Sequence, residues 1–369
     1  MEKYKLTIDN ATKAEGNDIE EFIYNNKQLF IHWISLYSLA TCREIGYCVE
    51  DDIITLSKNF PDFTFGLYYN ENNGPNIWNK FFVDGEMISH KINNQGTKFD
   101  KIYKEIVETI DKNGIWSEGN VRTKYADGTP AHYKSYIGYQ FRLDNSTDEA
   151  HLITTRFAPN KAPIRELYWI WIMQSNDVDE LNKLKCKFWD EWKMNDGTIG
   201  KAYGYQIAKQ TFGYKSQLDY VIGELKKNPN SRRIMTEIWV PEDLDKMALT
   251  PCVHLTQWSV IGNKLYLEVR QRSCDVALGL VANVFQYSIL HKLVAMECNL
   301  EPAEIIWNIH NVHIYDRHMP ELLEQIKRPS IDGATVKIEN FKSIYDFKPD
   351  DVIIENYQYG DKISYEVAI

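Results

Sequence analysis

The second half of the chain alternates strand patterns with long helical patterns. Residues 255–259 and 265–270 predict two strands joined by a turn at Gly262-Asn263, and residues 284–298 predict a long, mostly apolar helix. Residues 305–315 then predict a further strand. Because each element needs its apolar face covered by another, the pattern predicts an α/β or α+β fold built in layers.

The first 95 residues predict a separate, small α+β module. The predicted elements are helices at residues 28–48 and 51–58 and strands at residues 63–69, 78–83 and 87–91. Asp84-Gly85 is typical of the turn of a hairpin, and residues 93–96 predict a linker. No residue pattern in this module indicates a chemistry. A second domain is expected at 99–369, beginning with a helix at residues 99–110 that Gly114 ends.

Net charge and cysteine spacing exclude several classes of protein. The net charge is −10, which argues against a broad surface for nucleic acid or anionic membrane but leaves room for a local basic pocket. No run of about 18 apolar residues occurs, and the first residues lack the apolar core of a signal peptide. The six cysteines show no CxxC spacing, which argues against a disulfide framework or a zinc site. We therefore expect a cytoplasmic protein without a metal site.

One stretch carries a candidate nucleophile. Cys252 directly follows Pro251, with an apolar run before the pair and an alternating, strand-like run after it. The cluster at residues 270–275 combines arginine, serine and aspartate. A thiol followed by such a cluster indicates a covalent enzyme that acts on phosphorylated substrates. The paired Arg232 and Arg233 fit either a solvated strand edge or a phosphate site.

An acid and two tryptophans also stand out. Glu166 lies within residues 162–173, a helical pattern that is apolar on most sides. A buried acid is costly unless it is hydrogen-bonded, so Glu166 is either paired for structural reasons or functional. Trp189 and Trp192 are three residues apart and share one face of a helical turn. They fit a wall for a planar ligand, although a single large aromatic residue more often fills the core.

Short motifs spread over the second domain carry a family resemblance. They are Arg122-Thr123, Glu166-Leu167, Trp189-Asp190-Glu191-Trp192, Asp196-Gly197, Tyr203-Gly204, Ser231-Arg232-Arg233, Met247-Ala248-Leu249, Pro251-Cys252, Gln271-Arg272-Ser273-Cys274-Asp275, Leu278-Gly279-Leu280, Asn283, His313, Tyr315 and Val367-Ala368-Ile369. In this order and at this spacing, residues 99–369 resemble the thymidylate synthases, folate-dependent enzymes that methylate C5 of dUMP. The resemblance implies that family's mixed sheet with packed helices.

The resemblance implies a set of catalytic residues. Cys252 corresponds to the thiolate that adds to C6 of the pyrimidine and gives C5 carbanion character. Nearby arginine charge, including that of Arg272, is expected to help keep the thiol ionised. Glu166 corresponds to the general acid/base, which acts through ordered water on O4 and the folate. Tyr203 corresponds to the tyrosine near the step that removes the C5 proton.

The resemblance also implies the substrate contacts. In the family four arginines and a serine surround the dUMP phosphate, here Arg122, Arg232, Arg233, Arg272 and Ser273. The paired arginines reach across from a partner subunit, so a homodimer with shared sites is implied.

Other residues correspond to the contacts with the rest of the nucleotide. His313 and Tyr315 correspond to residues that hold the ribose 3′-hydroxyl. Asn283 corresponds to the amide that pairs with O4 and N3 of uracil, and Gln271 belongs to the same substrate-binding set. An asparagine at this position favours dUMP over dCMP.

The implied co-substrate is 5,10-methylenetetrahydrofolate. Asp275 corresponds to the acid that hydrogen-bonds the pterin. The other residues expected to line or close the folate pocket are Trp189, Trp192, Leu249, Leu278, Gly279 and, in the last three residues, Ala368.

Several departures from the family pattern fall near the ligands. Val281-Ala282 replaces the family's Pro-Phe pair, Val253 replaces a common histidine, and Ile309-His310 stands where Gly-Gly is usual. Related hydroxymethylases also alter the Pro-Phe pair, so Ala282 and His310 raise the alternative that water, not hydride, captures the C5 methylene. That reaction would give 5-hydroxymethyl-dUMP. A third alternative is a nucleotide-binding homologue without catalysis, against which Cys252 and Glu166 are both present.

Overall fold

The computed structural model describes residues 3–9, 25, 49–61, 64–70, 77–83, 86–90, 96–331 and 333–369. The chain divides into two compact units, Met1–Gln95 and Gly96–Ile369.

The first unit contains an antiparallel sheet in the order β1-β2-β3-β4. Its elements are β1 (Lys3–Asp9), α1 (Val49–Asn59), β2 (Thr64–Asn70), β3 (Ile77–Val83) and β4 (Glu86–His90). The second predicted helix and the three predicted strands are confirmed, whereas β1 was not predicted. The helix predicted at residues 28–48, the hairpin turn at Asp84-Gly85 and the linker at residues 93–95 lie outside the described residues.

The second unit is organised around a six-stranded mixed sheet. Its strands are β5 (Ile115–Trp116), β6 (Tyr133–Asp144), β7 (Met235–Glu237), β8 (Val253–Ile261), β9 (Lys264–Asp275) and β10 (Glu301–Tyr315). They lie in the order β5-β6-β10-β9-β8-β7, and β9 and β10 are parallel while the other pairs are antiparallel. A parallel pair needs a crossover connection, and a long helix between the two strands supplies it. A two-stranded ribbon, β11 (Thr335–Ile338) with β12 (Val352–Glu355), follows.

Seven α-helices are described in this unit. They are α2 (Lys98–Asn113), α3 (Lys161–Leu167), α4 (Val178–Lys183), α5 (Gly204–Ile207), α6 (Gln217–Lys227), α7 (Gly279–Cys298) and α8 (Met319–Gln325). A π-helical turn covers Tyr168–Ile172, and 3-10 turns cover Asp190–Trp192, Pro241–Lys246 and Pro349–Asp351. Helix α2 starts at a capping box formed by Thr97 and Asp100 and ends before Gly114, as the sequence predicts.

The sheet has one covered face and one partly exposed face. Along β9, Leu265, Leu267 and Val269 are fully buried. The residues between them are partly or fully exposed, because successive side chains of a strand point to opposite faces. Helix α7, which is apolar on most sides, lies buried in the same core as these leucines and valine. The mixed α/β prediction is confirmed.

The sheet brings three chain segments to one of its ends. The register pairs Val253 with Gln271 and His313 with Asp275. The start of β8 and the ends of β9 and β10 therefore lie together, although they are distant in sequence. This end of the sheet carries the candidate nucleophile.

Three elements differ from the sequence expectations. The helix expected at residues 162–173 is split, because its second half winds as the π-helical turn after Leu167. Arg232 and Arg233, which fitted a solvated strand edge, lie in a turn, and the strand begins only at Met235. Strand β6 was not predicted; Gly138, at φ +78°, interrupts its pattern.

Among the described residues, no helix combines the length and the apolarity needed to cross a membrane. The same residues contain no group of three or more His, Cys, Asp or Glu side chains arranged to hold a metal ion.

Candidate active site

The backbone of Cys252 is held from two sides. Its N–H donates to the hydroxyl oxygen of Tyr203 at 3.1 Å, and its carbonyl accepts from the backbone N–H of Arg272 at 2.9 Å. The half-buried residue directly precedes β8. A tyrosine from one segment and a strand from another thus fix the position of the thiol.

The side chain of Arg272 braces the same loop. Its Nε donates to the Pro251 carbonyl at 2.9 Å, and its Nη2 donates to the Thr250 carbonyl at 2.8 Å and to Thr250 Oγ1 at 2.7 Å. The guanidinium also lies over the Trp239 ring, 5.4 Å from its centroid. Since an arginine has five N–H donors, these contacts leave the Nη1 pair available to a ligand. Arg272 therefore has a structural role that the sequence did not reveal.

Two opposing effects act on the ionisation of Cys252. The charges of Arg272 and Arg122 lower the pKa of the thiol, in the direction that the sequence predicts. Burial is the larger effect, so the net shift of that pKa is upward. The thiol is protonated at neutral pH and must lose its proton as it reacts.

Glu166 is a buried acid with a donor on each oxygen. Only 8% of the residue is exposed. Trp189 Nε1 donates to Oε1 at 2.6 Å, and Gln286 Nε2 donates to Oε2 at 2.8 Å. Burial raises the pKa of Glu166, and both donors oppose that rise because they stabilise the carboxylate. The acid is therefore paired, and its net pKa lies above the ordinary value of a glutamate.

An aromatic cluster surrounds this acid. The Trp189 ring meets the Tyr203 ring at 5.0 Å and the Trp192 ring at 5.7 Å, both edge to face. Trp189 is 6% exposed and belongs to the core, whereas Trp192 is less buried. Trp189 thus acts mainly through its hydrogen bond to Glu166, and Trp192 offers the more accessible ring surface.

Tyr203 occupies a constrained turn. Its φ is +44°, which is uncommon for a residue other than glycine. Gly204 follows it, and a Cβ at Gly204 would lie 2.0 Å from the Ser175 carbonyl oxygen. Only glycine permits this close approach of the backbones, and the turn directs the Tyr203 hydroxyl to Cys252.

Gln271 and Asn283 form an oriented amide pair. Trp307 Nε1 donates to Gln271 Oε1 at 2.9 Å, and Gln271 Nε2 donates to Asn283 Oδ1 at 3.2 Å. An indole can only donate, so it fixes which end of the Gln271 amide faces Asn283. The Asn283 NH₂ group therefore points away from Gln271.

His313 and Tyr315 lie at the end of β10. The two rings are 5.2 Å apart, and His313 Nδ1 lies 3.1 Å from Asn311 Oδ1. Burial lowers the pKa of His313, so the ring is neutral at physiological pH. Burial also raises the pKa of Tyr315 to about 12, so its hydroxyl keeps its proton. On the neighbouring strand, Ser273 pairs with Asn311.

Three of the residues expected to bind folate, Asp275, Leu278 and Gly279, lie at the start of α7. Asp275 Oδ1 accepts from the Ala277 N–H at 2.9 Å. The nearest atoms to a Cβ built on Gly279 are 4.0 Å away, on Asn283 and Asp275, so the helix start has open space beside it. Leu249 and Leu278 pack against the core and are only partly buried.

The C-terminal residues are docked onto the loop that carries Arg122. Lys124 and Ile369 exchange two backbone hydrogen bonds, at 2.8 and 2.9 Å. Ala368 packs against the small cluster of Tyr125, Ala131 and Tyr315. The C-terminal residues therefore lie near the loop of Arg122, whose charge lowers the pKa of Cys252.

A further ion-pair cluster, not recognised in the sequence, holds this tail. Arg317 donates from Nη1 to Glu366 at 2.8 Å and from Nη2 to Asp127 at 2.7 Å. The neighbouring His318 lies 2.7 Å, from Nε2, from the Glu366 carbonyl oxygen. Arg317 thus joins the tail to the loop of Asp127.

The paired arginines do not join this site within one chain. Arg232 and Arg233 are exposed in the turn before β7, and the carbonyl of Arg233 accepts from the Tyr220 hydroxyl at 2.7 Å. Strand β7 pairs Met235 with Gln257, and the chain before Met235 continues away from Val253. At 3.3 Å per residue, Arg233 lies about 20 Å along the sheet from Val253.

The substitutions at residues 281–282 and 309–310 fall in different places. Val281 is buried, whereas Ala282 is partly exposed next to Asn283. His310 is exposed, while its neighbour Ile309 is buried in the core. The alternation of buried residues along β10 breaks at this point, because Ile309 and Val312 are both buried.

Comparison with known proteins identifies what the second unit resembles. The family described as Thymidylate synthase matches residues 101–369. A thymidylate synthase of Fusobacterium nucleatum subsp. nucleatum is 81% identical over 272 residues, which cover 74% of this chain and 99% of that protein. Thymidylate synthase 1 of Bacillus subtilis strain 168 is 46% identical over 280 residues, covering 74% of this chain and all of that protein.

The fold gives the same result. The solved structure of a thermostable thymidylate synthase A from Bacillus subtilis superposes with a TM-score of 0.70 at 47% identity, covering 73% of this chain and 99% of that one. The resemblance drawn from the motifs is confirmed, and so is its implied fold. Nothing in these comparisons supports the hydroxymethylase alternative.

Proposed function

Because this chain belongs to the thymidylate synthase family and is a one-carbon transferase acting on dUMP with folate, we propose that Cys252 is its nucleophile. The thiolate sulfur bonds to C6 of uracil, and the electron pair moves to C5 and O4. C5 then bonds to the methylene carbon of 5,10-methylenetetrahydrofolate as the bond from that carbon to one folate nitrogen breaks, and the bond to the second nitrogen breaks when the folate leaves. Loss of the C5 proton releases the folate, hydride from it reduces the methylene, and sulfur leaves to give dTMP and dihydrofolate.

The placement of Cys252 between Tyr203 and Arg272 supports this proposal most directly. The Tyr203 oxygen and the Arg272 strand fix the loop before substrate arrives, so little reorganisation is needed for attack. Glu166 serves as the acid/base that exchanges protons with O4 through water. Tyr203, whose hydroxyl is next to the nucleophile, assists removal of the C5 proton.

The base is recognised by Asn283. Its amide donates to O4 and accepts from N3 of uracil, and Gln271 holds it in that orientation. His313 and Tyr315 hold the ribose, and both remain uncharged donors or acceptors at neutral pH. The folate binds over Trp192, Leu249, Leu278 and Gly279, with Asp275 on the pterin and Ala368 closing the pocket.

The phosphate site combines two subunits. Arg122, Arg272 and Ser273 come from the chain that carries Cys252, and Arg232 and Arg233 come from a second copy. The separation of about 20 Å along the sheet supports this assignment. A homodimer that packs through the partly exposed sheet face would also cover that face.

Mixing inactive variants tests the shared site. Cys252→Ser homodimers and Arg232→Ala/Arg233→Ala homodimers should each lose most activity. Co-expression should restore it, because a mixed dimer contains one site with an intact thiol and an intact arginine pair. Absence of any recovery, with mixed dimers verified by mass spectrometry, would contradict a shared site.

Catalysis is assigned to residues 99–369, and residues 1–95 form a separate domain. The Fusobacterium relative supports this division, because the match covers 99% of that protein but only 74% of this chain. We also place the protein in the cytoplasm, where its substrates are made. A chain beginning at residue 96 is expected to keep its kcat.

The reaction itself is tested by its products. The protein is incubated with dUMP and 5,10-methylenetetrahydrofolate. The mass of the product nucleotide is measured by mass spectrometry, and formation of dihydrofolate is followed by absorbance. A methylated nucleotide with equimolar dihydrofolate is expected. A nucleotide heavier than dTMP by one oxygen, formed without dihydrofolate, would instead establish the hydroxymethylase reaction.

A further inference from the structure

Helix α7 contributes a buried amide to the acid Glu166. Gln286 is 3% exposed, and its Nε2 donates to Glu166 Oε2 at 2.8 Å and to the Pro163 carbonyl at 3.2 Å. The two N–H groups of the amide are thus both used. Because a carbonyl oxygen can only accept, the contact with Pro163 fixes the nitrogen end of the amide toward the acid.

The two donors to Glu166 come from different elements. Trp189 belongs to the turn before Asp190–Trp192 and bonds Oε1, whereas Gln286 belongs to α7 and bonds Oε2. A carboxylate with only one bonded oxygen can still rotate about its last carbon–carbon bond. With a donor on each oxygen, from elements packed in one core, that rotation is blocked.

We propose that Gln286 is a positioning residue that holds Glu166 in one orientation and in its ionised form for proton transfer. This inference rests on the proposed acid/base role of Glu166. Gln286 does not need to touch either substrate: it acts through the carboxylate. It also links the acid to α7, whose first turns carry Gly279 and Asn283.

Charge and burial give the proposal a measurable consequence. Burial raises the pKa of Glu166, and the N–H groups of Trp189 and Gln286 act against burial. Loss of the Gln286 donor therefore raises that pKa further, since one stabilising contact to the carboxylate disappears. The limb of the pH–rate profile that reports ionisation of Glu166 should move to higher pH.

The test uses the full-length protein and three variants. Gln286→Met keeps the length of the side chain but removes the donor. Gln217→Met is the matched control, because Gln217 is also a buried glutamine that bonds backbone groups, at Gln206 and Glu237, away from Glu166. Glu166→Gln tests the role on which the inference rests. For each variant kcat, KM for dUMP, the pH–rate profile and Tm are measured.

Gln286→Met should lower kcat about tenfold to a hundredfold, the effect of losing one hydrogen bond to a charged group. KM for dUMP should change less than about threefold. The acidic limb of the pH–rate profile of Gln286→Met should move to higher pH. Gln217→Met should lower Tm by an amount similar to that of Gln286→Met but leave the pH–rate profile unchanged.

Two results would overturn the inference, and they are distinguishable. In the first result, Glu166→Gln is inactive, but Gln286→Met keeps a nearly normal kcat and an unshifted pH–rate profile. That result would reject the role of Gln286 and leave the role of Glu166 standing. A fully active Glu166→Gln would reject the proposed role of Glu166, and with it the positioning role.

Discussion

The nucleophile and the chain terminus are held by contacts of different kinds. The Cys252 loop is fixed by hydrogen bonds from Tyr203 and from the side chain and backbone of Arg272. The tail is held by exposed ion pairs of Arg317 with Asp127 and Glu366, beside two backbone hydrogen bonds between Lys124 and Ile369. Partly buried hydrogen bonds to a charged group contribute more than exposed ion pairs, which are worth about 0–1 kcal/mol each.

This difference separates two requirements of the reaction. The nucleophile must already be in position when dUMP arrives, because misplacement by about 1 Å costs rate. In the proposed reaction, the tail opens and closes over the folate. Weak, solvent-exposed contacts suit a segment that opens in every catalytic cycle. The structure therefore predicts a rigid nucleophile next to a releasable closure.

The largest expected effect comes from removing the nucleophile. Cys252→Ser should lower kcat about a thousandfold or more, because a serine hydroxyl is a far weaker nucleophile at neutral pH. Binding of dUMP should remain largely intact, since the arginines provide most of the anchoring. Equilibrium binding and single-turnover rates measure both. A variant that stayed active would show that another group attacks C6.

A smaller loss is expected from weakening the brace. Arg272→Lys should reduce kcat/KM roughly tenfold to a hundredfold, because an ammonium cannot reproduce the forked contacts with Thr250 and Pro251. Arg328→Lys is the control, since Arg328 also bonds backbone carbonyls, of Thr155 and Asp361, but outside the site. Equal losses in both variants would show a general effect on folding instead of a specific brace.

The protonation of Cys252 gives a pH prediction. Because its pKa is raised in the free protein, the thiol is mostly protonated between pH 6 and 8. Alkylation of Cys252 by iodoacetamide should therefore accelerate about tenfold per pH unit over that range, since only the thiolate reacts. Peptide mass mapping follows this residue separately from the other cysteines. A rate independent of pH would mean that the thiol is already ionised.

The smallest effect is expected at the tail. Arg317→Ala should raise KM for the folate about threefold to tenfold and change Tm by only about 1–2 °C, because its ion pairs are exposed. KM for dUMP should change little. A large fall in Tm would show that the tail is a structural element and not a releasable closure.

Some of the site was predictable because the signal is local or carried by family motifs. The Pro251-Cys252 pair and the Gln271–Asp275 run are recognisable in the sequence, and the apolar pattern predicted most of α7. The burial of Glu166 also followed from its apolar neighbours. By contrast, the partners of Glu166 are 23 and 120 residues away in sequence. No local pattern indicates which side chains will meet across such separations.

Gln286 illustrates what was overlooked. A glutamine within the apolar run of α7 was a usable signal, since a buried amide needs partners. Which partner it finds depends on how α7 packs against α3. Likewise, the exposure of His310 beside the buried Ile309 depends on how β10 lies in the sheet.

The sequence by itself indicated which chemistry the chain can carry: a candidate cysteine nucleophile, an acid among apolar residues, an arginine set and an alternation of strands and helices. These follow from residue type, spacing and local periodicity. Only the tertiary structure decided how these groups are tuned. Burial raises the pKa of Cys252 despite the arginines, Arg272 braces the loop, and Gln286 meets Glu166. Such effects depend on distances between remote residues and on exclusion of water, which exist only once the chain has packed.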